Sequence, residues 1–173
     1  MSPPDWVALV GALHDAVDGL TAPLEARHGA ALHCRRGCHG CCVDGLTVTR
    51  IEAERIAARY PSLLAEGRPG PVGGCAFLDA DGSCRVYDVR PYVCRTQGLP
   101  LRWATPDGGE ARDVCPVHAD AFALTALPAD ALWTIGPFEA RLAAWQAAAG
   151  APEARIALRA LFRTLEGGPS GGC

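Results

Sequence analysis

The chain has 173 residues, of which 49% are hydrophobic and 20% are charged. This length and composition are typical of one globular domain and exclude a fully disordered chain. The net charge of −3 gives no electrostatic reason to expect nucleic acid as a partner. All sixteen cationic residues are arginine, which excludes a Schiff-base lysine and a phosphate-binding lysine.

The N-terminal region, residues 1–33, is predicted to be helical. A first amphipathic helix is expected over residues 2–20, capped by Ser2. Its core-facing stripe consists of apolar residues at helical spacing: Trp6, Leu9, Val10, Leu13 and Val17. Pro23 is expected to end this helix, and a second helical stretch is expected to run on towards His33.

The first residues do not resemble a secretory leader, because Asp5, His14 and Asp15 interrupt the apolar stretch. No stretch approaches the roughly 18 apolar residues of a membrane span. We therefore expect a cytoplasmic protein with reduced thiols, and we expect no membrane among its partners.

Nine cysteines are the most informative feature of the sequence, and eight of them lie between residues 34 and 115. The segment CRRGCHGCCVDGL, residues 34–46, carries an early set: Cys34, Cys38, Cys41 and Cys42. Its three glycines argue against a regular helix and favour a loop folded around a ligand. A capping box of Thr49 and Glu52 then predicts a helix that ends before Pro61, and residues 61–74 are predicted to form a loop.

The segment CAFLDADGSCRVYDVRPYVCRTQG begins the late set of cysteines: Cys75, Cys84, Cys94 and Cys115. Its Asp81-Gly82 turn predicts a β-hairpin that brings Cys75 and Cys84 close together. A helical turn is expected over residues 92–95, and residues 99–114 are expected to be irregular.

Three C-terminal helices are predicted, over residues 118–126, 128–149 and 152–166, with a break in the second at Gly136-Pro137. In this division, residues 34–116 form a cysteine-cluster metal-binding region on which the helices of 117–166 pack, and 167–173 form a disordered tail. The predicted fold is a single compact domain, mainly α with a small β-hairpin, organised around a Cys-ligated metal or iron–sulfur centre.

Two kinds of chemistry explain clustered cysteines, namely disulfides and metal binding. Reduced thiols favour metal, because thiolate sulfur is a soft, charged donor. Eight thiolates suit two four-cysteine zinc sites, whereas the CxxxCxxC spacing with one distant cysteine suits a single 4Fe-4S cluster, which we favour slightly. The spacing leaves open which of Cys41 and Cys42 is a ligand, and no catalytic motif is evident.

Two sets of residues near the cysteines could support such a centre. Positive charge to offset the thiolates is available from five arginines: Arg35, Arg36, Arg85, Arg90 and Arg95. A neutral imidazole of His33, His39 or His118 could replace a thiolate. We interpret these histidines as surface side chains or as hydrogen-bond partners of the ligands.

The joint pattern CxxxCxxCC and CxFLDxDGxCxVYDxRPxxCRxxG resembles the YkgJ-type cysteine-cluster family, a zinc- or iron-chelating domain related to the flagellin lysine N-methylase. The matching residues are Cys34, Cys38, Cys41, Cys42, Cys75, Cys84, Tyr87, Arg90, Pro91, Cys94 and Arg95, with Cys115 as a less distinctive match. The resemblance implies that the cysteines bind a metal ion or an iron–sulfur cluster.

Kinship with the methylase implies an alternative function, in which an enzyme uses this centre to modify a protein or peptide, for example by methyl transfer. The spacing of Cys34, Cys38 and Cys41 also equals that of radical S-adenosylmethionine enzymes, but this chain is short and has few strand signals for their β/α barrel. A disulfide-stapled secreted domain is the third alternative.

Overall fold

A computed structural model describes residues 4–34, 37–153 and 155–162 of the chain. The described residues contain five α-helices: α1 (Trp6–His28), α2 (Arg50–Arg59), α3 (Pro61–Glu66), α4 (Tyr92–Thr96) and α5 (Pro137–Ala148). They also contain five short strands: β1 (Thr47–Thr49), β2 (Leu101–Ala104), β3 (Glu110–Asp113), β4 (Trp133–Thr134) and β5 (Arg155–Ala157). Helices with small sheets confirm the predicted fold class at this level.

The strands form two small sheets. β1 pairs antiparallel with β5, with Val48 opposite Ile156. β2 is the middle strand of the second sheet, antiparallel to β3 and parallel to β4. The β1–β5 and β2–β4 pairs join segments far apart in the chain, and they tie the C-terminal region to two strands that lie between cysteines, β1 after Cys42 and β2 after Cys94.

Two clusters of buried side chains form the hydrophobic core. The first surrounds Phe77 and includes Val48, Ile56, Val86 and Phe162. The second contains the α1 residues Val10, Leu13 and Val17, packed against Tyr92, Leu99, Trp133 and Leu142. The prediction that the apolar stripe of the first helix faces the core is therefore confirmed for its central residues.

The N-terminal helix is continuous and does not break at Pro23, contrary to the sequence prediction. It begins at Asp5, whose carboxylate accepts the backbone N–H of Ala8, at 3.0 Å; the predicted cap Ser2 lies outside the described residues. A proline inside a helix costs about 3 kcal/mol. Tertiary contacts beyond Pro23 offset this cost, among them a 2.7 Å hydrogen bond between His28 Nε2 and the Ala131 carbonyl.

By length and composition alone, α1 could cross a membrane, which corrects the expectation that no stretch of the chain could do so. Buried core helices of other proteins pass the same test. Here Val10 and Val17 are fully buried and Leu13 is nearly so, so the rest of the chain covers the central residues of the apolar stripe of α1, whereas Leu9 is exposed.

The predicted hairpin at Asp81-Gly82 forms as a tight loop, with an antiparallel bridge between Leu78 and Cys84. Backbone hydrogen bonds from Asp79 N–H to the Ser83 carbonyl at 2.8 Å and from Arg85 N–H to the Phe77 carbonyl at 2.9 Å close it. The pairing does not extend to Cys75, whose N–H donates to the Cys42 carbonyl at 2.8 Å. A longer β-hairpin is β2–β3, in the segment 99–114 that was expected to be irregular.

The helical prediction for the C-terminal region is correct only for α5, which begins after a break at Gly136 as expected. The region predicted as a first helix forms two short 3-10 turns, Pro116–Ala121 and Leu124–Ala126. Two further segments are strands, because their backbone groups find partners in β1 and β2. Residues 163–173 lie outside the described residues, and the predicted tail with them.

Two smaller predictions in the middle of the chain differ in their outcome. The helical turn expected at residues 92–95 is α4, and it is confirmed. The segment 61–74, expected to be a loop, begins with α3, since Pro61 is favourable in the first turn of a helix.

A buried polar network around Glu52 joins three helices. Thr49 and Glu52 form the predicted capping box at the start of α2. The Glu52 carboxylate also accepts the Tyr92 backbone N–H of α4 at 2.9 Å and lies 3.3 Å from His14 Nε2 of α1. Arg55 donates to His14 Nδ1, at 3.0 Å, so His14 Nε2 carries the hydrogen that Glu52 accepts.

We expect Glu52→Ala to lower the free energy of unfolding by about 3–5 kcal/mol, because it leaves several buried donors without an acceptor. Urea denaturation measures this loss. Glu54→Ala on the same helix is the matched control: it removes only the ion pair of Glu54 with Arg50, whose side chains are about half exposed, and should cost less than about 1 kcal/mol. Equal losses in the two variants would contradict the role given to Glu52.

The same network predicts that acid destabilises the fold. Burial lowers the pKa of His14; burial opposes the charge of Glu52, but the hydrogen bonds from His14, Tyr92 and Thr49 outweigh it and lower the pKa of Glu52. Groups with a depressed folded pKa stabilise the fold above their unfolded pKa and lose that contribution as the pH falls.

We therefore expect the free energy of unfolding to fall as the pH drops below about 6.5, and again below about 4.3. Denaturation curves measured across this range check the prediction. His14→Gln should flatten the first decline, whereas replacing the exposed His39 should not. A stability that rises on acidification would contradict the assignment.

Candidate metal centre

The cysteines converge on one cavity of about 780 Å³ beside the C-terminal end of α1. Seven of the eight clustered cysteines line it: Cys34, Cys38, Cys41, Cys42, Cys75, Cys84 and Cys94. The eighth, Cys115, is buried and close enough for its charge to act on the Cys34 thiol. The fold therefore gathers sulfurs that are up to 81 positions apart in the sequence.

Four of these cysteines form what we call the deep group: Cys42, Cys75, Cys84 and Cys94. Backbone pairing sets the first two side by side, through the Cys75 N–H bond to the Cys42 carbonyl and a bridge between Val43 and Gly74. Cys84 lies on the tight loop and Cys94 on α4. Burial, and then the charges of Cys75, Cys84 and Cys41, raise the pKa of the Cys94 thiol to about 12.

Three other cysteines form what we call the outer group: Cys34, Cys38 and Cys115. Partial desolvation of its sulfur, and then the charges of Cys38, Cys115 and Cys41, raise the pKa of the Cys34 thiol to about 11. Gly98 makes room for this sulfur, since a Cβ at Gly98 would lie 2.3 Å from Cys34 Sγ. The positive φ of Gly98, +94°, is a second reason for glycine at this position.

The adjacent Cys41 and Cys42 side chains are hydrogen-bonded to each other. This bond lowers the pKa of Cys41 to about 6 and raises the pKa of Cys42. The charge of Cys41 acts both on Cys34 in the outer group and on Cys94 in the deep group. Cys41 therefore lies between the two groups, whereas Cys42 is next to Cys75 and Cys94.

The arginines expected to donate to sulfur have other acceptors. Arg85 donates to the Ala76 carbonyl at 2.7 Å, and Arg95 donates to the Arg90 and Asp88 carbonyls and to Asp18. Arg90 stacks on Tyr87, 4.2 Å from the ring centre.

The charges of Arg90 and Arg85 still reach the centre, since they act against the burial that raises the pKa of Cys84. These two arginines therefore act through their charge. Arg85 Nη2 and Arg90 Nη1 donate to loop carbonyls, whereas Arg85 Nε is buried without a hydrogen-bond partner among the described residues. Arg35 and Arg36 lie outside the described residues.

His118 is not a surface side chain but a hydrogen-bond partner of a predicted ligand, the second of the two interpretations given for the histidines. Its side chain is 1% exposed, and its Nε2 atom lies 3.9 Å from Cys34 Sγ. His33 and His39 are exposed, as expected.

The described residues contain no group of three or more His, Cys, Asp or Glu side chains arranged to hold a metal ion. The eight cysteines among them are all free thiols. The donors are soft thiolates around a shared cavity, which fits a thiophilic metal or a cluster. They are not already gathered around one point, as a tetrahedral ion would require.

Comparison with known proteins gives one match. Residues 33–116 match the family model CxxCxxCC, described as "Putative zinc- or iron-chelating domain". No curated protein and no solved structure matches the chain. The matched segment contains the seven cysteines of the two groups and also Cys41. It confirms the resemblance found in the sequence. Over residues 33–116, just under half of its length, the chain is similar to the CxxCxxCC family.

Proposed function

We propose that this protein holds an iron–sulfur cluster, of the 4Fe-4S type, in the cysteine-lined cavity. The family match supports binding of zinc or iron in general. The observation that carries the finer proposal is that seven cysteines line a cavity of about 780 Å³, while no three donors among the described residues surround a single point.

The argument for a cluster over zinc is geometric. A tetrahedral zinc ion with Zn–S bonds of about 2.3 Å brings its four sulfurs within about 3.8 Å of one another. A cubane cluster places a core of several atoms between its four thiolates, so these stay further apart around a larger space. Thiols spread around a roomy cavity suit the second arrangement.

The deep group supplies the ligands in this proposal. Its members come from four separate segments: the loop after α1, the segment next to the Val43–Gly74 bridge, the tight loop, and α4. A shared cluster would therefore cross-link the fold. Leu46, Val93 and Leu99 add apolar side chains to the wall of the same cavity. The positive charges of Arg85 and Arg90 partly offset the roughly −2 charge of a cluster with four thiolates.

When bound, the cluster supplies one-electron chemistry and a structural cross-link. The chain's own residues hold the sulfurs and provide nearby positive charge. Thiolate ligation needs reduced cysteines, so the proposal keeps the expected cytoplasmic location. Modification of a protein or peptide, such as methyl transfer, stays a prediction of the resemblance to the methylase.

Anaerobic purification followed by assays of iron, acid-labile sulfide and zinc tests the proposal. We expect iron and sulfide in similar amounts, with a brown colour and broad visible absorption. Protein that contains zinc and no sulfide would refute the cluster while leaving metal binding intact.

The choice of ligands is tested by serine replacement, because a hydroxyl is a poor donor for iron compared with a thiolate. We expect Cys94→Ser to lose most of the iron and sulfide and to melt at a lower temperature. Cys38→Ser, in the outer group, should keep the cluster, as should Cys173→Ser in the C-terminal region. Loss of the cluster from Cys38→Ser but not from Cys94→Ser would reverse the assignment.

A further inference from the structure

We propose that Arg159 positions the metal centre and sets its reduction potential, by clamping together the two chain segments that carry Cys42 and Cys75. The inference rests on the proposed function, in which these two thiols bind the same cluster. The family match ends at residue 116, so Arg159 lies outside it.

Five hydrogen bonds of the Arg159 guanidinium reach the segments next to these two cysteines. Nε and Nη2 donate to the two carboxylate oxygens of Asp44, both at 3.0 Å. Nη1 donates to the Gly70 carbonyl at 2.7 Å, and Nη2 donates to the Pro71 and Gly74 carbonyls at 3.0 Å each. Because a bidentate pair of arginine with a carboxylate is directional as well as strong, the guanidinium has one defined orientation between the two segments.

The clamped segments are the ones that pair with each other at the centre. Asp44 lies two positions after Cys42, and one of the three carbonyls belongs to the residue directly before Cys75. The Cys75 N–H donates to the Cys42 carbonyl at 2.8 Å, and the Gly73 N–H donates to the Asp44 carboxylate at 3.1 Å. Arg159 therefore closes the same backbone pairing that sets the two thiols side by side.

The surrounding backbone fits this clamp closely. Leu158 is 3% exposed, and its N–H donates to the Leu46 carbonyl at 2.9 Å, which fixes the chain next to Arg159. On the opposite side, a Cβ at Gly70 would lie 2.9 Å from the Cys75 carbonyl oxygen. Glycine permits so close an approach of two backbone segments, and this approach brings the loop carbonyls within reach of the guanidinium.

The clamp also places two opposite charges beside one of the thiols. Arg159, Asp44 and Cys75 line the same small crevice. Burial raises the pKa of the Cys75 thiol; the charge of Arg159 acts against this rise, and the charge of Asp44 adds to it. Both side chains of the ion pair are only 29% exposed, so water screens their charges in part. The two members of one ion pair therefore act in opposite directions on a negatively charged centre.

These opposite actions give the inference a signature in the reduction potential. Reduction of a cluster adds one negative charge, so nearby positive charge raises the potential and nearby negative charge lowers it. We expect Arg159→Gln to lower the potential and Asp44→Asn to raise it. A fold that is only loosened would admit water, which stabilises the more highly charged reduced state, and both variants would then shift upward.

The experiment uses the full chain purified without oxygen. Iron and sulfide are measured in each variant, and a redox titration followed by electron paramagnetic resonance then gives the potential. Arg155→Gln is the matched control, because Arg155 lies on the same segment and donates to Thr47, at 3.3 and 2.6 Å, away from the loop before Cys75. It should leave the potential unchanged. Shifts of the same sign in the Arg159 and Asp44 variants, or no shift in either, would overturn the role of Arg159.

Arg159→Lys separates the charge from the geometry. Lysine keeps the positive charge but lacks the planar fork that pairs with both oxygens of Asp44. We expect a potential close to that of the wild type, but release of iron to a chelator about 10-fold faster, since loss of a hydrogen-bond partner around a metal site costs about 10–100-fold in affinity. Release as slow as in the wild type would overturn the clamp. This variant carries the test if Arg159→Gln does not fold.

The two proposals fail separately. Wild type that contains zinc and no sulfide would refute only the cluster, and transfer of zinc to a chelator would then test the clamp. We expect this transfer to be about 10-fold faster in Arg159→Gln than in Arg155→Gln, and equal rates would overturn the clamp. Wild type that contains the cluster, with both potentials shifted together, would refute only the role of Arg159.

Discussion

The cost of ionising gathered, partly buried thiols is the constraint on which the rest of the structure depends. The chain places seven cysteines in two adjoining groups with Cys41 between them, and burial together with neighbouring thiols raises the pKa of Cys34 and Cys94 to about 11 and about 12. Such a gathering can ionise only if positive charge enters it. Arg85 and Arg90 contribute some of that charge from nearby. A bound metal ion would supply the remainder, and its binding would then add to the stability of the fold.

The protein framework serves to hold these sulfurs in place. Glu52 links α1, α2 and α4, and its bond to the Tyr92 N–H holds the start of the helix that carries Cys94. Arg159 performs a similar role at the other end of the chain, with a bidentate pair to Asp44 and bonds to the loop before Cys75. A buried carboxylate and a C-terminal arginine, both outside the cysteine motif, thus position the deep group.

Local patterns in the sequence were sufficient where the physics is local. The capping box at Thr49 and Glu52 was predicted because both hydrogen bonds are made within one turn of helix. The break at Gly136 and the glycine-rich loop after α1 follow from backbone freedom in the same way. The predicted hairpin at Asp81 stays short because the Cys75 N–H found its partner at Cys42, and a helix over 152–166 was wrong because β5 found β1. Both partners are distant in the chain, so neither was visible in a local pattern.

The sequence by itself determined the available donor chemistry, since eight clustered thiols, four of them in the CxxxCxxCC pattern, favour a soft metal whatever the fold. Only the tertiary structure decided how these donors divide, with Cys42 beside Cys75 and Cys94 and Cys41 between the groups. It also decided that His118 is buried next to Cys34. The physical reason is that ligand identity is a property of each side chain, whereas ligand grouping depends on distances set by long-range hydrogen bonds and packing.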